Sequence, residues 1–308
     1  MNSLPHPFTL RQLQYLVAVA DRRNFRRAAE ACHVSQPALS AQIAQCEELL
    51  GVRIFERDPR NVTVTEAGHI LIARIRHLLL LSDELVSAAQ ALTDPLAGTL
   101  RIGIIPTVAP YLLPDVTPAL RTSLPRLVFR WVEDKTPTLS KLLSEGEIDA
   151  AILALEAQLG DVAHAVIGSD PFVLATARDH RLGRTKKPAR LDELDGEQVL
   201  LLDDGHCFRD QAIAACAEAR VTEASYRATS LSTLVQMAAQ GQAVTLLPEL
   251  ALGVENRRQD LVIRRFAGSP PVRTLALVWR RRSGRDETFK ALARSLVESW
   301  TALTKSSR

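Results

Sequence analysis

The chain has 308 residues, enough for two or three domains, and 46% of them are hydrophobic, enough to fill real cores. No apolar run approaches the length of a membrane span, and Met1 to Leu10 lacks the basic start and apolar centre of a signal peptide, so a cytoplasmic protein with no membrane partner is expected. A formal charge of +3 argues neither for nor against nucleic acid, and four cysteines in a reducing compartment are expected as thiols, any disulfide being regulatory or catalytic.

Leu13, Leu16, Val17 and Ala20 recur at helical spacing between Leu10 and Ala20, and Asn24 to Cys32 predicts a second short helix around Phe25, Ala28 and Ala29. After a turn at His33-Val34, Ser35 as N-cap and Pro37 in the first turn start a third helix with the stripe Leu39, Ile43, Leu49 and Leu50. This is the helix-turn-helix pattern. The later helix would offer Gln36, Pro37, Ser40, Ala41 and Gln45 to a major groove, with Arg22, Arg23, Arg26 and Arg27 placed for phosphates. Val52 to Glu56 and Val62 to Thr65 flank a turn at Asp58-Pro59-Arg60-Asn61, a hairpin or wing with Arg57 and Arg60 at its tip. On spacing alone, a small bundle with a solvated arginine face explains these residues equally well.

The wording decides between them. Phe25-Arg26-Arg27-Ala28-Ala29, His33-Val34-Ser35-Gln36-Pro37-Ala38-Leu39-Ser40, Leu50-Gly51-Val52, Phe55-Glu56-Arg57 and Thr65-Glu66-Ala67-Gly68 resemble the DNA-binding domain of LysR-type transcriptional regulators. The match covers most of residues 10 to 70, and by resemblance Arg11, Gln36, Pro37, Ser40 and Arg57 are expected to contact double-stranded promoter DNA.

Glu66 to about Thr93 holds no proline and only Gly68, with Ile70, Leu71, Ile75, Leu78, Leu79, Leu85, Ala88, Ala89 and Leu92 on one broad side. Such a helix would be a rod of roughly 40 Å with more apolar surface than it can expose alone. In LysR-type regulators the corresponding helix packs against its copy in a second subunit. Asp94-Pro95-Leu96-Ala97-Gly98 then breaks the helix.

Beyond Thr99 the period changes. Leu100 to Ile105, Leu127 to Trp131, Ala150 to Leu155, Phe172 to Ala175, Gln198 to Leu202, Ala243 to Leu247, Leu261 to Arg265 and Thr274 to Trp279 read as strands alternating with helices, an α/β arrangement wound about parallel sheets. Its length suggests two lobes and a cleft, with Thr107, Thr136 and His206-Cys207 where strands end and helices begin. Each has an ordinary explanation. Thr107 and Thr136-Pro137 suit helix caps, His206 suits a surface, and Cys216 suits a core.

Cys207 and Cys216 lie nine residues apart on a segment that reads as helix from Phe208 to Arg220, with Gly205 just ahead of it. On that helix they are separated by roughly 13 Å of rise and about half a turn. A disulfide needs Cα atoms within about 7 Å, so bonding these sulfurs would require the helix to come apart. His206, Cys207 and Cys216 offer at most three metal ligands without a familiar spacing, so no metal and no cofactor are expected. A helix N-terminus, a protonated His206, Arg209 and Arg273 would lower the Cys207 pKa; Asp203, Asp204 and Asp210 would raise it.

The stretches Ile105-Pro106-Thr107-Val108, Pro110-Tyr111-Leu112-Leu113-Pro114, Ile152-Leu153-Ala154-Leu155, Asp204 to Ala212, Arg227-Ala228-Thr229-Ser230-Leu231, Thr245-Leu246-Leu247-Pro248 and Arg273-Thr274 are similar to the peroxide-sensing branch of the LysR family, over about residues 10 to 300. Phe208, Ala214-Ala215 and the residues through Phe8 depart from its pattern. The resemblance implies a peroxidatic Cys207 and a resolving Cys216 that form a reversible disulfide, with Thr107, Thr136, His206 and Arg273 around the peroxide. It also implies a homotetramer, a dimer of dimers, that activates antioxidant genes with RNA polymerase and is reset by a thiol reductant such as glutaredoxin or thioredoxin. The expected architecture is a winged helix-turn-helix over residues 1–66 and a linker helix over 67–94. A two-lobed α/β sensor resembling periplasmic binding proteins follows over 95–308, with lobe I at about 95–170 and 275–302 and lobe II at about 171–274. The rivals are a LysR-type regulator of a small metabolite and a thiol peroxidase; a peroxide-sensing regulator, and no enzyme, is expected ahead of both.

Overall fold

In the computed structural model, which describes residues 7–57, 62–157, 159–216 and 219–306, three helices open the chain: α1 (Leu10–Arg22), α2 (Phe25–Ala31) and α3 (Gln36–Leu50). Each start is capped by a side chain. Thr9 and Gln12 form a reciprocal capping box on α1, Asn24 accepts from the Arg27 N–H at 3.0 Å, and Ser35 accepts from the Ala38 N–H at 3.4 Å. Leu13, Leu16, Val19, Leu39, Ile43 and Ile54 form the buried centre of this unit.

Strands β1 (Phe55–Arg57) and β2 (Val62–Val64) pair antiparallel, with Phe55 opposite Val64. The expected turn between them, Asp58 to Asn61 with Arg60 in it, lies outside the described residues. The Glu47 carboxylate ties the hairpin to α3 by accepting the N–H groups of Ile54 (2.7 Å) and Phe55 (3.0 Å). Helix α4 (Glu66–Thr93) follows, and Gly68 is there because a Cβ would come 2.4 Å from the Ile54 carbonyl oxygen. Along α4 the side chains of Ile70, Leu78, Leu81, Leu85 and Val86 are exposed; those of Ala88 and Leu92 lie outside the described set.

The chain divides into two compact units, residues 1–87 and 88–308. The second unit runs β3 (Gly98–Ile104), α5 (Ala109–Ser123), β4 (Leu127–Glu133), α6 (Thr136–Glu145), β5 (Ala150–Ala154), β6 (Val162–Ala177), β7 (Gln198–Leu202), α7 (Cys207–Ala215) and β8 (Thr222–Ala228). It continues through α8 (Leu231–Ala238), β9 (Thr245–Pro248), α9 (Leu252–Glu255), β10 (Leu261–Arg265), β11 (Val272–Arg280) and α10 (Asp286–Ser306). One seven-stranded sheet has the order β10-β6-β11-β5-β3-β4, with β9 also on β6, and β7 pairs with β8 separately.

The 16-residue β6 organises this unit. Its first part pairs with β11 and its second with β9 and β10, so it carries the chain from one core to another. One core gathers Ile102, Ile104, Leu139, Ile152, Leu277 and Phe289; the other gathers Phe172, Leu174, Leu202, Phe208, Leu234 and Leu246. The result is two lobes. The expectation of parallel sheets is corrected: among the described strands β3–β4, β3–β5 and β7–β8 pair parallel, while β5–β11, β6–β11, β6–β9 and β6–β10 pair antiparallel. The physical reason is that the chain crosses between lobes on extended strands, out along β6 and back along β11, with no crossover helix to reverse it. Two strand segments went unforeseen, the first half of β6 and the whole of β8, because polar and exposed residues interrupt their alternation.

Candidate functional site

Cys207 is the first residue of α7 and Cys216 caps its end. Both are free thiols, 7% and 2% exposed. Nine residues of α-helix keep them roughly 13 Å apart along the axis. They also belong to different cores: Cys207 packs with the β3–β5 lobe, whereas Cys216 packs with Phe208, Ala212 and the β7–β10 lobe. The helix is shorter than expected. It ends at Ala215 rather than Arg220, because the Arg220 N–H binds Asp195 Oδ1 (3.0 Å) and its carbonyl receives the Gly196 N–H (3.0 Å).

The two threonines do not cap helices. Val108 and Lys135 occupy the N-cap positions of α5 and α6, so neither hydroxyl is taken up by a cap. The Thr136 hydroxyl stands close enough to the Cys207 sulfur to favour its ionised form, yet it has no aligned hydrogen-bond partner. Four other buried side-chain atoms among the described residues lack partners: His206 Nε2, next to Cys207 in sequence, Ser140 Oγ and Gln211 Oε1, one turn beyond Thr136 and Cys207, and Thr176 Oγ1 on β6. Buried polar atoms normally find partners, so the Thr136 hydroxyl at the sulfur and the His206 ring next to Cys207 in the chain are the two that could receive a small polar molecule there. His206 is 4% exposed, not the surface residue its type suggests.

Thr107 and Arg273 meet directly. Arg273 Nη1 donates to Thr107 Oγ1 (2.8 Å), and Nη2 donates to the Thr107 carbonyl (3.0 Å). Its Nε and Nη2 grip Asp170 Oδ2 at 3.0 and 2.8 Å, while Asp170 Oδ1 accepts the Leu250 N–H at 3.0 Å. The guanidinium carbon also lies 5.7 Å from the Phe208 ring centroid, next to Cys207 in sequence. Asp170 was missed by sequence reasoning; its one signal is a lone acid ahead of the apolar run Phe172 to Ala175.

Burial pushes the Cys207 thiol pKa up, against the Thr136 hydroxyl, the Arg273 charge and the Phe208 N–H, which lower it; Asp210 adds to the rise. Burial and the Lys135 charge hold His206 below the ordinary imidazole range, against Asp203. A protonated His206 is therefore not the activator. Neither is Arg209, which is committed to Glu223 (2.8 and 2.9 Å) and Asp204 (3.0 Å). Because the thiolate is the nucleophile and its pKa is raised, the rate of Cys207 oxidation is expected to keep climbing from neutral pH past the ordinary thiol value of about 8.5. Stopped-flow rates against pH check this; a plateau reached by pH of about 7 would contradict it. Burial alone pushes Cys216 to about 11. Among the described residues no group of three His, Cys, Asp or Glu forms a metal site.

In the first unit, Gln36 and Pro37 are exposed at the start of α3, and Ser40 sits one turn on, half-buried. Arg11 projects from α1 with its Nε on the Tyr15 hydroxyl at 2.8 Å. Arg57 ends β1. Gln12, unremarked in the sequence, donates to Gln42 (2.9 Å) and Gln45 (3.4 Å) and thereby fixes the side chain of one candidate base reader.

Residues 10–69 match the bacterial regulatory helix-turn-helix of the lysR family, and residues 93–301 match the LysR substrate binding domain. The chain belongs to the LysR family. Among its LysR-family relatives, the "hydrogen peroxide-inducible genes activator" of Dickeya chrysanthemi is 41% identical over 290 residues, 94% of this chain and 95% of that one. A full-length cysteine-to-aspartate variant of OxyR from Pseudomonas aeruginosa superposes with a TM-score of 0.74 at 35% identity, covering 94% of this chain and 95% of that one. A hydrogen-peroxide-bound cysteine-to-serine variant of OxyR from Corynebacterium glutamicum gives a TM-score of 0.68 at 33% identity, covering 98% and 95%. In this LysR chain, then, the substrate-binding domain carries Cys207 and Cys216, and the helix-turn-helix carries the DNA-reading candidates.

Proposed function

We propose that this LysR-family chain is a hydrogen-peroxide-sensing transcriptional regulator, an activator switched by a reversible Cys207–Cys216 disulfide. One observation carries the reading: a buried thiol at a helix start, beside unpartnered Thr136 and His206 atoms, with a second thiol held at the far end of the same helix in another core. The Cys207 thiolate attacks one peroxide oxygen and the O–O bond breaks. Cys207 becomes a sulfenic acid and the departing hydroxide takes up a proton to leave as water. Thr107, positioned by Arg273, and Thr136 orient the peroxide, and the N–H of neutral His206 donates a hydrogen bond to the leaving oxygen, whose proton comes from water.

The Cys216 thiolate then attacks the sulfenyl sulfur, expelling hydroxide, and the S–S bond forms once α7 has opened. A dithiol reductant returns two electrons and resets both thiols. Gln36, Pro37, Ser40, Arg11 and the wing residue Arg57 are the promoter contacts in this reading. The exposed stripe on α4 favours pairing of two copies, and two such pairs make the tetramer that engages RNA polymerase. The protein acts as a cytoplasmic regulator rather than a peroxidase, since one oxidation per reset is all the mechanism requires.

The test is Cys207→Ser. Promoter binding in a gel-shift assay is expected at wild-type affinity, while peroxide-induced transcription is lost. A serine variant that still answers peroxide ends the proposal.

A further inference from the structure

Lys135 stands outside the set of residues assigned to peroxide, yet it touches three consecutive residues of the loop that leads into Cys207. Its Nζ lies 3.3 Å from Asp203 Oδ2 and donates to the Asp204 carbonyl at 2.7 Å. Its stem runs across Gly205, where an added Cβ would come 3.1 Å from Lys135 Cδ. Gly205 itself sits at φ +87, a turn that glycine adopts freely, immediately before His206 and Cys207.

The backbone of Lys135 is committed as well. It is the N-cap residue of α6: its N–H donates to Asp134 Oδ1 at 2.7 Å, its carbonyl accepts the Leu139 N–H at 3.0 Å, and Thr136 follows as the first helical residue. One residue thus joins the two segments that face each other at the sulfur, the turn that carries Thr136 and the loop that delivers His206 and Cys207. Stability is not an adequate reason for the contact. The Lys135–Asp203 pair is 33% and 41% exposed, and ion pairs that wet contribute little to folding. Fixing a geometry is a better one, because small displacements of reacting groups cost large factors in rate.

We propose that Lys135 is a positioning residue for the oxidation of Cys207, a clamp that holds the Asp203–His206 loop against the first turn of α6 and so sets how Thr136 and His206 approach the sulfur. This rests on the peroxide reading above. The charged groups bearing on the His206 imidazole are Lys135, which opposes its protonation, and Asp203, which favours it. Removing the lysine leaves the aspartate unopposed, so the imidazole pKa rises.

The experiment compares full-length wild type, Lys135→Met and Lys135→Arg. Two quantities are read: the rate of Cys207 sulfenylation by limiting hydrogen peroxide, and the His206 titration by NMR. The methionine variant is expected to react about tenfold more slowly, the scale of a modest misplacement. Its His206 should titrate higher than wild type, and arginine should restore both readings. A methionine variant as fast as wild type overturns the clamp, as does an arginine variant no better than methionine. If the wild type itself ignores peroxide, the parent reading falls and takes the clamp with it, an outcome distinct from a wild type that reacts and a methionine variant that matches it.

Discussion

Arg273→Met is expected to destabilise the second unit by about 3–5 kcal/mol, the usual cost of stranding one member of a buried ion pair. Arg273 is 0% exposed and Asp170 1%, so removing the guanidinium leaves a buried carboxylate without its counter-charge. The Leu250 N–H remains on Asp170, but a single hydrogen bond does not replace a charge. Thr107 loses its partner too, and Phe208 loses the cation over its ring. The pH dependence has a definite sign. Burial already pushes the folded-state Asp170 pKa up, against Arg273 and the Leu250 N–H; without Arg273 it rises further above the unfolded value of about 3.9, so the folded form prefers the protonated acid. The variant should therefore be least impaired at acid pH and lose further stability as pH rises through the raised value. Urea melts at several pH values check this. Arg273→Met/Asp170→Leu, which removes both charges, should recover most of the loss while peroxide reactivity stays low, separating the stabilising role of the pair from its role beside Thr107.

Cys216→Ser is expected to leave the first oxidation intact and abolish the lasting switch. Cys207, with Thr136, His206 and Arg273 untouched, should still reach the sulfenic acid, detectable with a dimedone-type probe. Without a resolving thiol that acid persists or is oxidised further, and no crosslink can hold α7 open. Sustained transcription after a peroxide pulse should fall to the unstimulated level. A LysR-type regulator tuned to a metabolite would respond to Cys216→Ser hardly at all, since Cys216 sits in a core away from the cleft and serine is nearly its size. Full, lasting induction in the variant would favour that rival.

Much of this was legible in the sequence because local rules governed it. The Ser35-capped start of α3 and the length of α4 follow from side chains near in sequence, and the wording of this region pointed to the family. The opposed facing of Cys207 and Cys216 needed only helix geometry. What stayed hidden depends on long-range contacts. Asp170 and Arg273 are 103 residues apart and Thr107 and Arg273 166 apart, so only the folded sheet reveals them as one hydrogen-bonded group. The weights of Arg209 and His206 stayed open for the same reason: Glu223 pairs with the first, and burial holds the second below the ordinary imidazole range. Lys135 carried no signal of its own, since its partners arrive from a loop 68 residues away.

Everything turns on whether α7 gives way so that two separated sulfurs can bond. Trypsin cleaves after Arg209 and Arg220, so Cys207 and Cys216 fall in different peptides. A non-reduced digest, analysed by mass spectrometry after one equivalent of hydrogen peroxide, reads the bond directly. The expected result is a linked pair joining the Cys207 peptide to the Cys216 peptide, absent before peroxide and gone after dithiol treatment. Two unlinked peptides after complete consumption of the peroxide, or Cys207 bonded instead to Cys32 or Cys46, would contradict it.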